Sequence, residues 1–327
     1  MPEVRIPIMT RGKSLNELKN LKVEASSISK QEENSTFWQQ DRSWRNFRVH
    51  LSAHSTAAGS SQADPEELAQ ILSNADIGFS VDLRQEPHGF ILGPEKISTH
   101  WVKVTYTNIS NLPTPVLKAK DLVKFEKKLL HQKMKKHKMT FFHISKDGRI
   151  KRVEACVKEA ETEKQAVKRI NKERELEGKE PVKYLRIPIL DGMPPTPKTI
   201  DKLIDLHKKA SAAGKGIYFH CSHGKGRTTT ALVINDIMNG KTAEEALAEN
   251  AAPPGKDLRT INTDDLTNPI LVKASADRLG LIHRFSDYWN SQAKNNMTFN
   301  NYIKECPIDK TYETQMMASL SIRDSRR

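Results

Sequence analysis

The sequence predicts a protein of the α/β class, because short apolar strands alternate with helical patterns. Residues 77–83 and 184–190 have the composition of buried strands, and so does the run 216–219 that leads into Cys221. Residues 228–238, after the last of these strands, have the length and apolar content of a core helix. Strands and helices that alternate in this way are typical of the α/β class.

Three helix starts are marked by side chains that accept hydrogen bonds from free backbone N–H groups. Asp64 and Glu67 are spaced as a capping box, and Thr242 and Glu245 repeat that spacing. Thr196 is predicted to cap a third helix, since a proline follows it at the first helical position. These signals place helices after residues 64, 196 and 242.

A strongly basic helix is predicted for residues 118–138, between strands at 101–109 and 139–150. It carries nine lysines, and its leucines and Phe125 fall in one apolar stripe. We interpret the lysines as a solvated face, with contact to an anionic lipid surface as the alternative. The charged run 151–178 is predicted to be a further helix, and residues 271–289 the last core helix.

The most informative stretch is HCSHGKGRT at residues 220–228. A cysteine and an arginine separated by five residues, between a strand and a helix, form the phosphate-binding loop of cysteine-dependent phosphatases. Gly224 and Gly226 let the backbone turn so that successive N–H groups point into one concavity. The helix N-terminus adds free N–H groups and a positive dipole end that attract an anion.

Each side chain of this loop has a predicted role. Cys221 is the nucleophile, since a helix N-terminus and a nearby cation favour the thiolate form of a cysteine. Arg227 presents a planar fork for two phosphoryl oxygens. Thr228 is expected to donate a hydrogen bond to the sulfur when it leaves, and His220 to pack behind the loop. The alternative is that Cys221 is a buried structural cysteine without a catalytic role. The order of strand, histidine, glycines, arginine, threonine and helix argues against it.

A general acid is needed to protonate the departing alkoxide. Asp191 is the candidate, because it ends an apolar strand and begins a turn rich in glycine and proline. Asp201 and Asp205 are alternatives that fall within a helical pattern.

Four blocks resemble the bacterial protein-tyrosine-phosphatase-like (PTP-like) phytases. The family's loop typically reads HCEAGVGRTT, and a second signature resembles DLRQExHGF. The blocks are HCSHGKGRTTT (220–230), RIPILDGMPPT (186–196), VDLRQEPHGF (81–90) and WRNFR (44–48). The resemblance spans roughly residues 40–290.

This resemblance implies the PTP-like cysteine-phosphatase fold: a central mixed, partly parallel sheet flanked by helices, with a small β-rich subdomain. It also implies stepwise removal of phosphates from myo-inositol hexakisphosphate (phytate) through a phospho-cysteine intermediate, without a metal ion or other cofactor. The expected organisation is a flexible segment 1–36, a phosphatase domain 37–300 with its subdomain at about 92–150, and a C-terminal tail 301–327.

The resemblance also assigns residues around the loop. Arg48 is the expected distal substrate contact, while Arg84 and His88 lie in the second signature and support the site or touch substrate. Independently of the resemblance, the last predicted core helix offers Lys273, Arg278 and Arg284 as candidate outer phosphate contacts, with a solvated helix face as the equal alternative. The predicted phosphate-binding loop positions are Ser222, His223, Gly224, Lys225 and Gly226.

Three loop positions depart from the family pattern. Ser222, His223 and Lys225 stand where the family usually has Glu-Ala and Val, and a lysine between the two glycines is similar to phosphoinositide phosphatases. Both basic changes add positive potential that suits a polyphosphorylated ring. A phosphoinositide or protein-tyrosine phosphatase with the same Cys/Arg/Asp chemistry is therefore the alternative, and a non-catalytic ligand-binding protein is the third hypothesis.

Composition agrees with a polyanionic substrate. The 327 residues carry a formal charge of +13, from 53 Lys+Arg against 40 Asp+Glu, and a positive field speeds the capture of polyanions. No nucleic-acid partner is expected, because neither an aromatic-interleaved basic strand nor a zinc-binding spacing occurs. No segment approaches the apolar length of a membrane span.

The three cysteines, Cys156, Cys221 and Cys306, predict neither a disulfide framework nor a metal site. A reducing compartment is expected, which would also protect the nucleophile. The first residues contain no apolar run of signal-peptide length, so a cytoplasmic protein is expected. Delivery into a host cell by a non-classical route is a hypothesis, and the sequence indicates no oligomeric state.

Overall fold

The computed structural model describes most of the chain from residue 46 onward. The predicted flexible segment 1–36 lies outside the described residues, as do Trp44, Arg45 and Cys156. The described residues are 46–52, 56–74, 76–92, 101–105, 119–135, 139–144, 150–155, 158–262, 266–291, 297–306 and 321–323.

Strands and helices alternate along most of the described chain. The strands are β1 (Arg48–Leu51), β2 (Thr56–Ser61), β3 (Ile77–Arg84), β4 (His88–Leu92), β5 (Trp101–Thr105), β6 (Met139–Ile144), β7 (Ile150–Ala155), β8 (Glu159–Glu161), β9 (Lys183–Ile189), β10 (Gly216–Cys221), β11 (Thr260–Asn262) and β12 (Ser321–Arg323). The helices are α1 (Pro65–Asn74), α2 (Ala119–Lys135), α3 (Glu163–Leu176), α4 (Pro197–Ala212), α5 (Gly226–Met238), α6 (Ala243–Ala251), α7 (Pro269–Ser291) and α8 (Phe299–Glu305).

Two compact units divide the chain. Of the described residues, those within 63–75 and 85–184 form the first unit. The second unit comprises Arg45–Gln62, Asp76–Arg84 and Leu185–Arg327, and it contains the predicted phosphate-binding loop.

A mixed five-stranded sheet in the order β1-β2-β10-β3-β9 organises the second unit. β1 pairs antiparallel with β2, whereas β10 pairs parallel with β2 and with β3. All six residues of β10 are buried, which explains its apolar sequence. The sheet and its flanking helices confirm the predicted α/β fold. Parallel pairing brings Cys221 to the carboxyl edge of the sheet, where ligands of α/β proteins usually bind.

Helix α5 lies in the core of this unit, since every residue from Arg227 to Met238 is buried. Its close approach to β2 depends on Gly59. A Cβ at that position would lie 2.7 Å from Thr228 Cγ2 and 2.8 Å from Leu232 Cδ1. The missing side chain of Gly59 therefore lets the helix after the loop pack directly on the strand beside Cys221.

Helix α4 follows the predicted pattern, with Thr196 as its N-cap and Ile200, Leu203 and His207 buried. The last helix, α8, is a feature that the sequence analysis missed. Asp201 of α4 accepts hydrogen bonds from the backbone N–H groups of Phe299, at 2.7 Å, and of the next residue. Through these bonds and the buried Phe299 ring, α8 is attached to the core of the second unit.

The first unit contains two small sheets, β5-β4-β8 and the antiparallel pair β6-β7. The predicted helix at 151–178 is wrong in its first part, because residues 150–155 form β7 and the helix starts only at Glu163. The capping box of Thr162 and Gln165 sets that start. The basic helix α2 is confirmed, and its Leu122 and Leu130 are buried.

The capping boxes predicted at Asp64 and Thr242 are present in the structure. Glu67 N donates to Asp64 Oδ1 at 2.9 Å, and Asp64 N donates back to Glu67 Oε2 at 2.8 Å. The reciprocal pair of Thr242 and Glu245 begins α6 in the same way. No helix in the described part of the chain has the length and hydrophobicity to cross a bilayer.

Candidate active site

The nucleophile candidate lies at the junction of the central strand and the buried helix. Cys221 is the last residue of β10 and is 3% exposed, and α5 begins five residues later at Gly226. Lys225 occupies the N-cap position and makes no side-chain capping bond, so the first N–H groups of α5 are left for another acceptor. An anion beside Cys221 can supply that acceptor.

The loop can close over the sheet only because residue 224 is a glycine. Gly224 has a left-handed φ of 69°. A Cβ there would lie 2.3 Å from Ser61 N and 2.4 Å from Ser60 C, inside the backbone at the end of β2. No side chain fits this position, so the backbone of β2 fixes the path of the loop.

Asn46, two residues before β1, and Arg48, the first residue of β1, bind backbone carbonyl oxygens of the loop. Asn46, with a left-handed φ of 59°, donates from Nδ2 to the carbonyl oxygen of His223 at 2.5 Å. Arg48 donates from Nη1 to Gly224 O at 2.9 Å and from Nη2 to Thr229 Oγ1 at 2.6 Å. Burial lowers the pKa of Arg48 to about 10, and the negative charges of Cys221 and Asp236 oppose this effect. The guanidinium therefore stays charged at neutral pH.

The predicted clamp and the predicted acid are in contact. Arg227 is 3% exposed, and its Nη2 lies 3.1 Å from Asp191 Oδ1. Its Nη1 donates to the carbonyl oxygen of Ile189 at 3.2 Å. The structure thus brings together Cys221, Arg227 and Asp191 at one edge of the sheet.

Asp191 lies in an exposed turn that follows β9. Met193 N donates to Leu190 O at 3.2 Å, and Gly192 has a left-handed φ of 76°. The Asp191 side chain is 70% exposed, unlike the arginine that it contacts. This exposure leaves the carboxyl able to reach a substrate or a water molecule.

Arg278 of α7 holds the same turn from the other side. Its Nη2 donates to Gly192 O at 2.7 Å, and its side chain is 5% exposed. Burial lowers the pKa of Arg278 to about 10, while the charges of Asp191 and Cys221 act in the opposite direction. Lys273, on the same helix, is 59% exposed and pairs with Asp277 at 2.9 Å. Of these two candidate outer phosphate contacts, Arg278 contacts the acid turn.

Thr228 and His220 lie behind the loop. The hydroxyl of Thr228 donates to Ser60 O at 3.3 Å, so the predicted bond to the sulfur would require it to turn away from this carbonyl. His220 is buried, and its ring stacks on that of Tyr218 with centroids 5.5 Å apart. The packing role of His220 and the sulfur-binding role of Thr228 both stay predictions.

The loop side chains differ in exposure. Ser222 and His223 are half-buried, whereas Lys225 is exposed at the start of α5. A cation at this position can meet a phosphate beyond the one held in the loop.

Arg84 is almost fully buried within the second unit. Its side chain bonds to Gln62 Oε1, and its carbonyl oxygen accepts from Arg186 Nε at 2.9 Å. Arg186 also pairs with the buried Asp82 at 3.1 Å. These contacts anchor the end of β3, and the sequence analysis missed the parts played by Asp82 and Arg186. The predicted substrate contact of Arg84 stays a prediction.

His88 lies in the first unit, where it is 1% exposed. Its backbone N–H donates to Glu126 Oε1 at 2.9 Å, and its Nδ1 lies 3.5 Å from the same oxygen. A role of His88 in substrate binding stays a prediction.

The alternative acid Asp201 is engaged elsewhere. Its carboxylate caps α8, and burial raises its pKa against the effect of the two backbone N–H donors. Asp191 is therefore the better candidate of the two.

An α/β sheet whose central strand delivers a Cys-x5-Arg loop to a helix N-terminus is the arrangement typical of the class of cysteine-dependent phosphatases, and the second unit of this chain has that arrangement. Within that class, residues 81–239 match the model of the PTP-like phytase family, which is described by the words inositol hexakisphosphate. The resemblance predicted from the sequence is confirmed over these residues.

Solved structures with similar folds include two PTP-like enzymes. The PTP-like myo-inositol phosphatase of Mitsuokella multacida, solved with myo-inositol-(1,3,4,5)-tetrakisphosphate, is 20% identical with a TM-score of 0.63. The similarity covers 81% of this chain and 46% of that one. A PTP-like phytase of Bdellovibrio bacteriovorus is 21% identical with a TM-score of 0.57, over 80% of this chain and 90% of that one. These similarities show a shared fold.

Among curated proteins, the effector protein hopD2 of Pseudomonas syringae pv. tomato is 30% identical over 131 residues. The match covers 39% of this chain and 26% of hopD2. Paladin of Gallus gallus is 30% identical over 125 residues, which are 38% of this chain and 13% of paladin. The chain therefore matches only a minor part of these relatives.

Proposed function

We propose that this protein is a metal-independent phosphomonoesterase that removes phosphates stepwise from myo-inositol hexakisphosphate through a phospho-cysteine intermediate. The observation that carries the proposal is the buried Cys221 at the N-terminus of α5, with Arg227 and Asp191 in contact beside it. The family model matched by residues 81–239, described as inositol hexakisphosphate, supports the choice of substrate.

In the first step, the thiolate of Cys221 attacks the phosphorus atom that Arg227 and the loop N–H groups hold. A sulfur–phosphorus bond forms, and the bond to the ring oxygen breaks with its electron pair on that oxygen. Asp191, in its protonated form, transfers its proton to the leaving alkoxide. The developing charge on the phosphoryl oxygens is stabilised by the guanidinium and the N–H donors.

The ion pair between Asp191 and Arg227 links binding to this step. A phosphoryl group held by Arg227 competes with the Asp191 carboxylate for the same guanidinium, because Nη2 already lies 3.1 Å from Oδ1. The bound phosphate displaces the carboxylate from Arg227, and the carboxylate takes up a proton from solvent and then faces the leaving group as the acid. The turn that carries Asp191 stays in place through the bond from Arg278 to Gly192 O.

In the second step, water attacks the phospho-cysteine and Asp191, now a carboxylate, accepts a proton from it. The sulfur–phosphorus bond breaks, its electron pair returns to Cys221 as a thiolate, and inorganic phosphate leaves. A metal ion is not needed in this scheme, since a thiolate attacks and a carboxyl transfers the proton.

Cations at the surface fit a substrate with several phosphates. Lys225 and Lys273 are both exposed, and the chain as a whole carries a formal charge of +13. A monophosphate fills only the loop, whereas a polyphosphorylated ring also gains from such outer cations.

The decisive experiment measures phosphate release from phytate, a soluble phosphoinositide and a phosphotyrosine peptide by wild type and Cys221→Ser. We expect release from phytate that persists with a chelator and falls by at least about 10⁴-fold in the variant. A preference for the phosphoinositide or the peptide would keep the chemistry and replace the substrate. Wild-type rates in Cys221→Ser would remove Cys221 from the mechanism.

Delivery into a host cell is a second part of the proposal. The similarity to a protein described as an effector supports it. A fusion to a reporter that is active only in host cytoplasm tests this idea, and a signal confined to the producing cells would contradict it.

A further inference from the structure

The segment of Asn46 and Arg48 contacts the outside of the phosphate-binding loop at two successive peptide units. Asn46 Nδ2 binds the carbonyl oxygen of His223, and Arg48 Nη1 binds that of Gly224. These donors come from a part of the chain more than 170 residues away, since the two bonds span 177 and 176 residues.

Because peptides are planar, these two bonds also fix the direction of two N–H groups of the loop. In a trans peptide the C=O and the following N–H point in opposite directions. The carbonyl of His223 shares its plane with the N–H of Gly224, and the carbonyl of Gly224 shares its plane with the N–H of Lys225. Holding both carbonyls outward therefore aims both N–H groups towards the other side, where a phosphoryl group would lie.

Arg48 also fixes the loop relative to the helix. Its Nη2 binds Thr229 Oγ1 in the first turn of α5, while Nη1 binds the loop and the carbonyl oxygen of Asn46 at 3.0 Å. The side chain is 9% exposed, so it is enclosed by the groups that it binds. A lysine could not reproduce this arrangement, because its single ammonium lacks the planar fork.

We propose that Asn46 and Arg48 are positioning residues that hold the loop carbonyls outward and so shape the phosphate cradle, and that Arg48 acts in this way rather than as a distal substrate contact. This inference deepens the proposed function, on which it rests for its kinetic consequences. It predicts that loss of either side chain weakens the binding of every phosphate ester, whatever else the substrate carries.

The first test does not depend on turnover. The rate of Cys221 alkylation by iodoacetamide is measured against pH by mass spectrometry of the Cys221 peptide, which separates it from the exposed Cys306. Inorganic phosphate is added as a protecting ligand. For Arg48→Lys we expect the midpoint of the profile to rise and the phosphate concentration for half-protection to increase at least about tenfold.

The second test compares two substrates. We expect Arg48→Lys to reduce kcat/KM for phytate and for p-nitrophenyl phosphate by the same factor. A loss confined to phytate, with an unchanged alkylation profile, would overturn the proposal and restore Arg48 as a substrate contact. Absence of phytate release in wild type, with the alkylation effect present, would instead contradict the proposed function alone.

Two further variants cover the case in which Arg48 substitutions do not fold. Thr229→Val removes the hydroxyl that accepts from Arg48 Nη2 and keeps the volume of the side chain. Asn46→Gly removes the amide and keeps the left-handed backbone at no steric cost. Both should move the alkylation profile in the same direction as Arg48→Lys, and unchanged profiles in both would refute the positioning role.

Discussion

The loop of Cys221 and the turn of Asp191 lie at the same edge of the sheet but are held in different ways. The loop is buried, has a glycine that no other residue can replace, and is bound by the side chains of Asn46 and Arg48. The turn exposes 70% of the Asp191 side chain and is held by contacts with two arginines, Arg227 and Arg278.

This difference agrees with the demands of the proposed chemistry. Donors that stabilise a transition state must be fixed before the reaction. The free energy needed to reorient them would otherwise add to the activation barrier. A proton donor instead has to reach the leaving group in one step and water in the next. A buried, fixed phosphate-binding loop beside an exposed Asp191 side chain meets both requirements.

Among the variants that test this comparison, the largest effect is expected from a side chain that enters the cradle. Gly224→Ala places a Cβ 2.3 Å from Ser61 N, and we expect it to reduce phosphate release about 10³-fold because the loop donors are displaced. Gly214→Ala is the matched control, since Gly214 has a φ of 60° with nothing within 4 Å of its Cβ position. The control should lose about 1–2 kcal/mol of stability and keep its rate.

Measurements of kcat/KM and of thermal unfolding on both variants separate backbone strain from the clash. Equal activity in the two variants would show that the tight contact between the loop and β2 does not matter for catalysis.

A smaller and more selective effect is expected from the acid turn. Asp191→Asn should slow release from phytate about 10²-fold, because an alkoxide leaving group needs a proton. The rate with p-nitrophenyl phosphate should change by less than about threefold, since its leaving group needs little protonation. Equal losses with both substrates would refute the role of Asp191 as the general acid.

Arg278→Ala tests whether the turn needs its second arginine. Loss of the charged bond to Gly192 O should reduce kcat for phytate about tenfold, and the effect should be much smaller in an Asp191→Asn background. Arg284→Ala is the control, because Arg284 lies on the same helix and binds Cys306 O. Additive losses in the double variant would mean that Arg278 acts independently of Asp191.

The smallest effect concerns an outer cation. Lys273→Ala should raise KM for phytate about threefold at low salt and leave p-nitrophenyl phosphate unaffected, since an exposed charge contributes little and is screened by ions. Lys304→Ala, a similarly exposed lysine on α8, serves as control. An unchanged KM would leave Lys273 as part of a solvated helix face.

Several elements could be predicted because their signals are local. The capping boxes of Asp64 and Thr242 and the Thr196 cap each involve residues three positions apart, and all are present in the structure. The prediction of a helix from residue 151 failed because residues 150–155 form β7, whose backbone pairs with β6. Such pairing depends on a partner strand, which a charged helical pattern in one segment does not reveal.

The roles of the arginines were harder to predict. The sequence analysis predicted that Arg48 and Arg278 contact substrate. In the structure, both bind backbone carbonyl oxygens of the active-site loops. A guanidinium binds a phosphate and a carbonyl oxygen with the same donors. Its sequence position therefore says that a cation is near the site but not which oxygen it binds.

By itself the sequence determined which residues form the loop, since the nucleophile, the glycines, the clamp and the helix start all lie within residues 220–228. Only the tertiary structure decided what surrounds it. The bond from Arg278 to the acid turn spans 86 residues, and the bonds from Asn46 and Arg48 to the loop span more than 170. Contacts between distant segments depend on how whole strands and helices pack, and no local pattern encodes that packing.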